Sequence, residues 1–196
     1  SRARRMCVIS LCTRGALDGS SRGRSTAALD AMPTIAPTPF SGCAGVFAND
    51  RFVCVLSYSG RMAAAMDPNG AEHLLAPDAD NESLGSSLLD ALQKSRVLNI
   101  EEVRIFFDPQ RIAKDYAAWV ERLMSRYRFK SKRALFNGMK HCNVHVRAGN
   151  ISIKPTYHEK SEGWAGMGAE FELVLPSQAP AIEVGGALRE GLRRCV

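Results

Sequence analysis

The stretch Asn143-Val144-His145-Val146-Arg147-Ala148-Gly149-Asn150-Ile151-Ser152-Ile153-Lys154-Pro155-Thr156 decides the fold class. Apolar and polar residues alternate on both sides of Ala148-Gly149-Asn150, as in two half-buried strands. A connection this short joins strands antiparallel, because a parallel crossover needs a dozen residues or more. Upstream, residues 46–48 and 52–58 are β-rich runs flanking Asn49-Asp50-Arg51, a second hairpin signal.

Between the hairpins the period becomes helical. Asp80 or Asn81 can cap a helix running to about Arg96, with Leu84, Leu88, Ala91 and Leu92 on one face and its bases, Lys94 and Arg96, late. Residues 101–107 read as a short helix. Asp108-Pro109 then supply N-cap and first turn of the strongest helix, where Ile112, Tyr116, Trp119, Val120, Leu123 and Tyr127 recur as a core-facing stripe. Residues 132–139 read as one further short helix ended by Gly138. Residues 61–80 lose the pattern and read as a structured loop, with turns at Asp67-Pro68-Asn69-Gly70 and Ala76-Pro77-Asp78. Beyond Thr156, residues 158–168 read as a Gly-rich loop carrying Trp164, 171–175 as a last strand and 181–195 as a last helix. The order shows no βαβ alternation and no repeat. It predicts a single α+β domain, an antiparallel or mixed β-sheet with helices packed against it.

A chain of 196 residues, 45% hydrophobic and 23% charged, can bury a real core. No apolar run approaches the roughly 20 residues that span a bilayer. The net charge of +6 is unevenly distributed: residues 1–40 hold six arginines against Asp18 and Asp30, a balance of +4, and the rest of the chain carries +2. Residues 1–39 read as an N-terminal extension, poorly ordered or non-native. They are rich in Arg and Ser, loosely like a transit peptide, and show no period through 13–25. Met32 opens a Pro-punctuated lead-in and reads as a plausible natural start, so the domain is taken as 40–196. Six cysteines scattered singly, with no C-x-x-C, fit reduced core residues and a cytoplasmic protein.

Charge is also segregated within the body. Residues 62–93 contain Asp67, Glu72, Asp78, Asp80, Glu82 and Asp90 and no Lys or Arg, whereas 122–158 contain nine bases and no acid. Two readings stand: solvated faces that pair with each other, or a block that meets a partner of opposite charge. The basic block could touch nucleic-acid phosphates, but it spans a helix, a turn and a hairpin without any nucleic-acid-binding signature. His141-Cys142-x-x-His145 lies on a strand, where residues four apart are ~13 Å apart, too far to share a metal ion. His158-Glu159 beside Trp164 resembles an acid/base pair without a third partner, and is read as a possible loop contact. There is no nucleophile elbow, P-loop or dinucleotide fingerprint, so no enzyme, cofactor or metal is expected.

Five motifs stand out in order: Ser57-Tyr58-Ser59-Gly60-Arg61-Met62-Ala63-Ala64-Ala65-Met66-Asp67-Pro68, Phe106-Phe107-Asp108-Pro109, the run 116–127, Lys132-Arg133-Ala134-Leu135-Phe136, and His158-Glu159-Lys160-x-Glu162-Gly163-Trp164. Together they resemble the immunity proteins of contact-dependent growth inhibition (CDI), the CdiI type, from about Phe40 to the C terminus. The resemblance implies a cytoplasmic protein encoded beside a large secreted toxin-delivery protein, whose C-terminal toxin domain, often a nuclease, it binds and blocks. A nuclease presents basic residues around its phosphate site, so Asp67, Glu72, Asp78, Asp80 and Glu82 are expected to be toxin-binding, with His158, Glu159 and Trp164 as possible loop contacts. Two competitors remain: a nucleic-acid-binding protein using the basic 122–158 segment, and a small enzyme using His158 and Glu159.

Overall fold

A computed structural model describes residues 41–196 and, as backbone, 9–11. The readings made for 13–25 and for the lead-in at Met32 lie outside the described residues. In chain order the elements are β1 (Ile9–Leu11), β2 (Gly42–Ala48), β3 (Val53–Gly60), β4 (Ala63–Met66), β5 (Glu72–Leu75), α1 (Asn81–Gln93), α2 (Ile100–Phe106), α3 (Pro109–Arg126), α4 (Lys132–Phe136), β6 (Lys140–Arg147), β7 (Asn150–Lys160), β8 (Gly163–Gly166), β9 (Leu173–Pro176) and α5 (Ala181–Arg194). The sheet runs β1-β4-β3-β2-β6-β7-β8, and its strand pairings are antiparallel. Two long strands change partner along their length. β3 gives its first half to β5 and its end to β4, and β7 gives its first half to β9 and the remainder to β8.

The predicted α+β domain is therefore correct, with helices on both faces. Ala44, Val46, Ala48, Val53 and Val55 point towards α1 and α5, where Leu84, Leu88, Val184 and Leu188 meet them. Their strand neighbours Cys43, Phe47, Cys54, Leu56 and Tyr58 point towards α3 and α4, onto Tyr116, Trp119, Leu123 and Phe136. Every residue of β2 and β3 is buried, so these strands lack the polar face that β6 retains.

Local chemistry sets the boundaries. Asp80 caps α1 by accepting from the Ser83 N–H, and Asp108 caps α3 by accepting from the Arg111 N–H, with Pro109 in the first turn. α2 begins one residue before the expected 101, because Asn99 and Glu102 cap each other's backbone N–H. α1 stops at Gln93, short of Arg96, because the chain turns back to β3. There the Ser95 hydroxyl donates to the Tyr58 carbonyl and the Arg96 N–H donates to the Ser59 hydroxyl. The hairpin between β6 and β7 has a two-residue turn, Ala148-Gly149, both at positive φ, with Asn150 already paired to Arg147.

Two stretches read as loops are strands. Within 61–80, β4 is an alanine run of weak strand propensity that packs tightly, and β5 has only four residues. The turn read at Asp67-Pro68-Asn69-Gly70 is present and separates them, with the Gly70 N–H donating to the Asp67 carbonyl. Residues 158–166 form the end of β7, a turn and β8. A register shift between His158 and Lys160 breaks the alternation, which conceals the strand in the sequence.

The helices α1 and α5 cross backbone to backbone. A Cβ at Gly85 would lie 1.8 Å from the Ala181 carbonyl oxygen, and one at Gly185 would lie 1.8 Å from that of Asn81. At Gly186 the nearest atom is the Asn81 side-chain nitrogen at 3.5 Å, an ordinary contact. Gly185→Ala should lower unfolding free energy by about 3 kcal/mol or more. Gly186→Ala should raise it by roughly 0.5–1 kcal/mol, the usual gain in a helix interior. Urea denaturation of the two variants checks the pair of signs.

Candidate functional site

Three of the sequence-predicted acidic residues lie where β5 hands over to α1. Asp78, Asp80 and Glu82 are exposed at the turn and first helical turn. Among the described residues none of the three enters an ion pair. Backbone and side-chain hydrogen bonds from Ser83 hold the Asp80 carboxyl below its ordinary range. The turn is braced from α5: Arg189 donates to the Asn81 side chain at 2.8 Å and to the Ala79 carbonyl. This braced acidic shoulder presents its charge to solvent.

The other two members of the sequence-predicted acidic set are engaged within the fold. Glu72, on β5, is ion-paired to Arg122 of α3 at 2.7 Å, so the two charge blocks do pair at this point. Asp67 faces inward, its side chain fully buried. It accepts from the Ser59 hydroxyl at 2.7 Å, from Arg96 Nε at 2.9 Å and from the Asn69 N–H at 3.0 Å. The motif that contributes it is a junction of β3, β4 and the chain after α1. Desolvation alone would raise the Asp67 carboxyl, but these hydrogen bonds outweigh it and hold the group below its ordinary 3.8.

The bases of 122–158 are spread over several elements: Arg126, Arg128, Lys130, Lys132 and Arg133 make a basic turn from the end of α3 into α4, whereas Lys140 and Arg147 lie on β6 and Lys154 on β7. Lys132 reaches Glu162 at 3.8 Å and Lys154 reaches Glu172 at 3.5 Å. Lys140 and Arg147 begin and end β6, about 23 Å apart along the strand. His141 is buried, and burial pulls its pKa down to about 3, so it is neutral and packs against Phe47 and Trp164. Cys142 points to the opposite face, with its sulfur 3.6 Å from that of Cys195.

The possible loop contacts divide. Trp164 is a core residue: it is buried, its indole N–H donates to the Met139 carbonyl at 3.0 Å, and its ring packs on Phe47 and Phe136. His158 stacks on that indole with ring centroids 5.1 Å apart, and Glu159 is exposed at the register shift. The sequence reading missed the bond from the Tyr116 hydroxyl to Glu162, at 2.6 Å. Only the position of Glu162 within its motif could have marked it.

Residues 43–195 match the family model described as CDI immunity protein, CdiI. The chain belongs to the CdiI family. It is 37% identical over 169 residues to the immunity protein CdiI-YPIII of Yersinia pseudotuberculosis serotype O:3, covering 79% of this chain and 96% of that protein. A solved CdiA-CT/CdiI toxin and immunity complex from Yersinia pseudotuberculosis is similar in fold and sequence, with a TM-score of 0.73 and 34% identity over 79% of this chain and 97% of that one. A protein of unknown function from Neisseria meningitidis is similar at a TM-score of 0.76 and 33% identity, over 79% and 95% of the two chains.

In this family member the Asp67 network ties stability to acid. A carboxyl depressed in the folded state stabilises fully above its unfolded pKa, and that contribution is lost as pH falls through the lower folded value. Acid unfolding followed from pH 6 to pH 2 should therefore steepen below about 4 in the parent. Asp67→Asn should be less stable at neutral pH by about 1.5–3 kcal/mol and should show a flatter acid limb. Equal acid limbs would contradict the network's role.

Proposed function

We propose that this protein neutralises a cognate CdiA C-terminal toxin domain by binding it, and that the shoulder of Asp78, Asp80 and Glu82 contributes to the docking surface, whereas Glu72 is spent on Arg122. The observation that carries the first part is the family membership together with the similarity to an immunity protein solved in complex with its toxin. Physical chemistry supports the second. These carboxylates are exposed and unspent in internal ion pairs, and a braced turn displays them at fixed positions. A nuclease toxin, the class we favour, needs a cationic surface for its phosphates, which such a shoulder would attract and cover. The protein acts in the cytoplasm of the producing cell as an inhibitor by occupancy, with no catalytic step of its own. Asp67 lies outside this surface because its carboxylate is buried, and Trp164 lies outside it because its ring is in the core.

The test separates the two parts. Co-expression with the toxin domain of the adjacent CdiA gene should restore growth, and the two chains should co-purify. The combined variant Asp78→Lys, Asp80→Asn, Glu82→Lys keeps a capping side chain at residue 80 while reversing the shoulder's charge. It should slow association by about tenfold or more at low salt and flatten the dependence of association rate on salt. An unchanged salt dependence would remove the shoulder from the interface. Failure of the unaltered protein to protect or co-purify would overturn the immunity function itself.

A further inference from the structure

Under the α3 face lies a small pocket that the acidic shoulder does not involve. Its walls include the rings of Phe47, Tyr58, Tyr116, Trp119 and Trp164, and Glu162 stands among them. The five ring residues are all buried, whereas the Glu162 side chain is 37% exposed and marks the mouth. The space is about that of a single water molecule, room for one small polar head and no more. Lys132 of α4 already stands at this mouth, its ammonium 5.6 Å from the Tyr116 ring centroid and 3.8 Å from Glu162.

Ring faces carry negative charge and attract a cation, most strongly at tryptophan and where water is excluded. A carboxylate at the rim adds a charge-assisted partner for an N–H donor. We infer that this pocket is a binding site for a primary alkylammonium group, the end of a lysine side chain presented by a bound polypeptide, with Phe47, Tyr116, Trp119 and Trp164 as walls and Glu162 as anchor. Its own Lys132 guards the entrance and competes for the same carboxylate. The dimensions match: an ammonium head is close to water in size, and its alkyl stem would pass the exposed mouth. The inference is independent of the acidic shoulder, and either can fail alone.

The two tryptophans of the chain both line the pocket, so fluorescence reports on it directly. The intact protein is titrated with n-butylammonium chloride at constant ionic strength, with n-butanol as the uncharged counterpart, and the indole N–H resonances are followed in parallel. Butylammonium should give a saturable change and butanol none. Glu162→Gln, which still accepts from Tyr116, should weaken binding about five- to tenfold. Lys132→Met, which removes the competitor, should tighten it about threefold. No saturation with butylammonium, equal responses to the two probes, or an unchanged affinity in Glu162→Gln would each overturn the site.

Discussion

The crossing of α1 and α5 at Gly85 and Gly185 is the constraint on which the arrangement depends. Two helices can lie this close only where both lack a side chain, and their contact seals one face of the sheet over Val46, Val55, Val144 and Ile153. It also sets the start of α1 against the first turns of α5, which lets Arg189 reach the turn at Ala79 and Asn81. The position of the acidic shoulder is thus inherited from a glycine contact in the core. On the opposite face the aromatic residues of α3 and α4 close over Phe47 and Trp164, and the small pocket forms where their packing is incomplete.

What was legible in the sequence was what local physics dictates. The hairpins, the caps at Asp80 and Asp108, the stripe through Tyr116, Trp119 and Leu123 and the terminal helix each carry their signal within a few residues. What was not legible depends on distant partners. β4 is a strand because it pairs with β3 and buries Ala64 and Ala65, although alanine is a poor strand former. β8 is a strand because its four residues find the bulged end of β7. The acidic residues were visible as a run, but a run does not say which carboxylate turns inward. Asp67 and Asp78 sit in similar Pro-containing turns, yet Arg96 and Ser59 claim the first and leave the second to solvent.

The charge segregation consequently has two outcomes in one fold. Part of it is spent internally, as Glu72 on Arg122, Asp67 on Arg96 and Glu162 near Lys132, and there it links elements that are far apart in sequence. Asp90 is spent as well, on Lys94 and His73, and Asp78, Asp80 and Glu82 are displayed on the shoulder. An inhibitor that must recognise one partner gains from this division, because internal pairs fix the shape and carboxylates left exposed are available to a partner of opposite charge. It also explains why a modest overall net charge says little about the partner.

The most direct measurement is the backbone hydrogen-exchange footprint of the protein with and without its cognate toxin domain. The account predicts slowed exchange in residues 75–84, across the turn and the start of α1, with the basic turn at 126–133 unchanged. Protection confined to the basic turn, with 75–84 exchanging at the same rate in both samples, would contradict it.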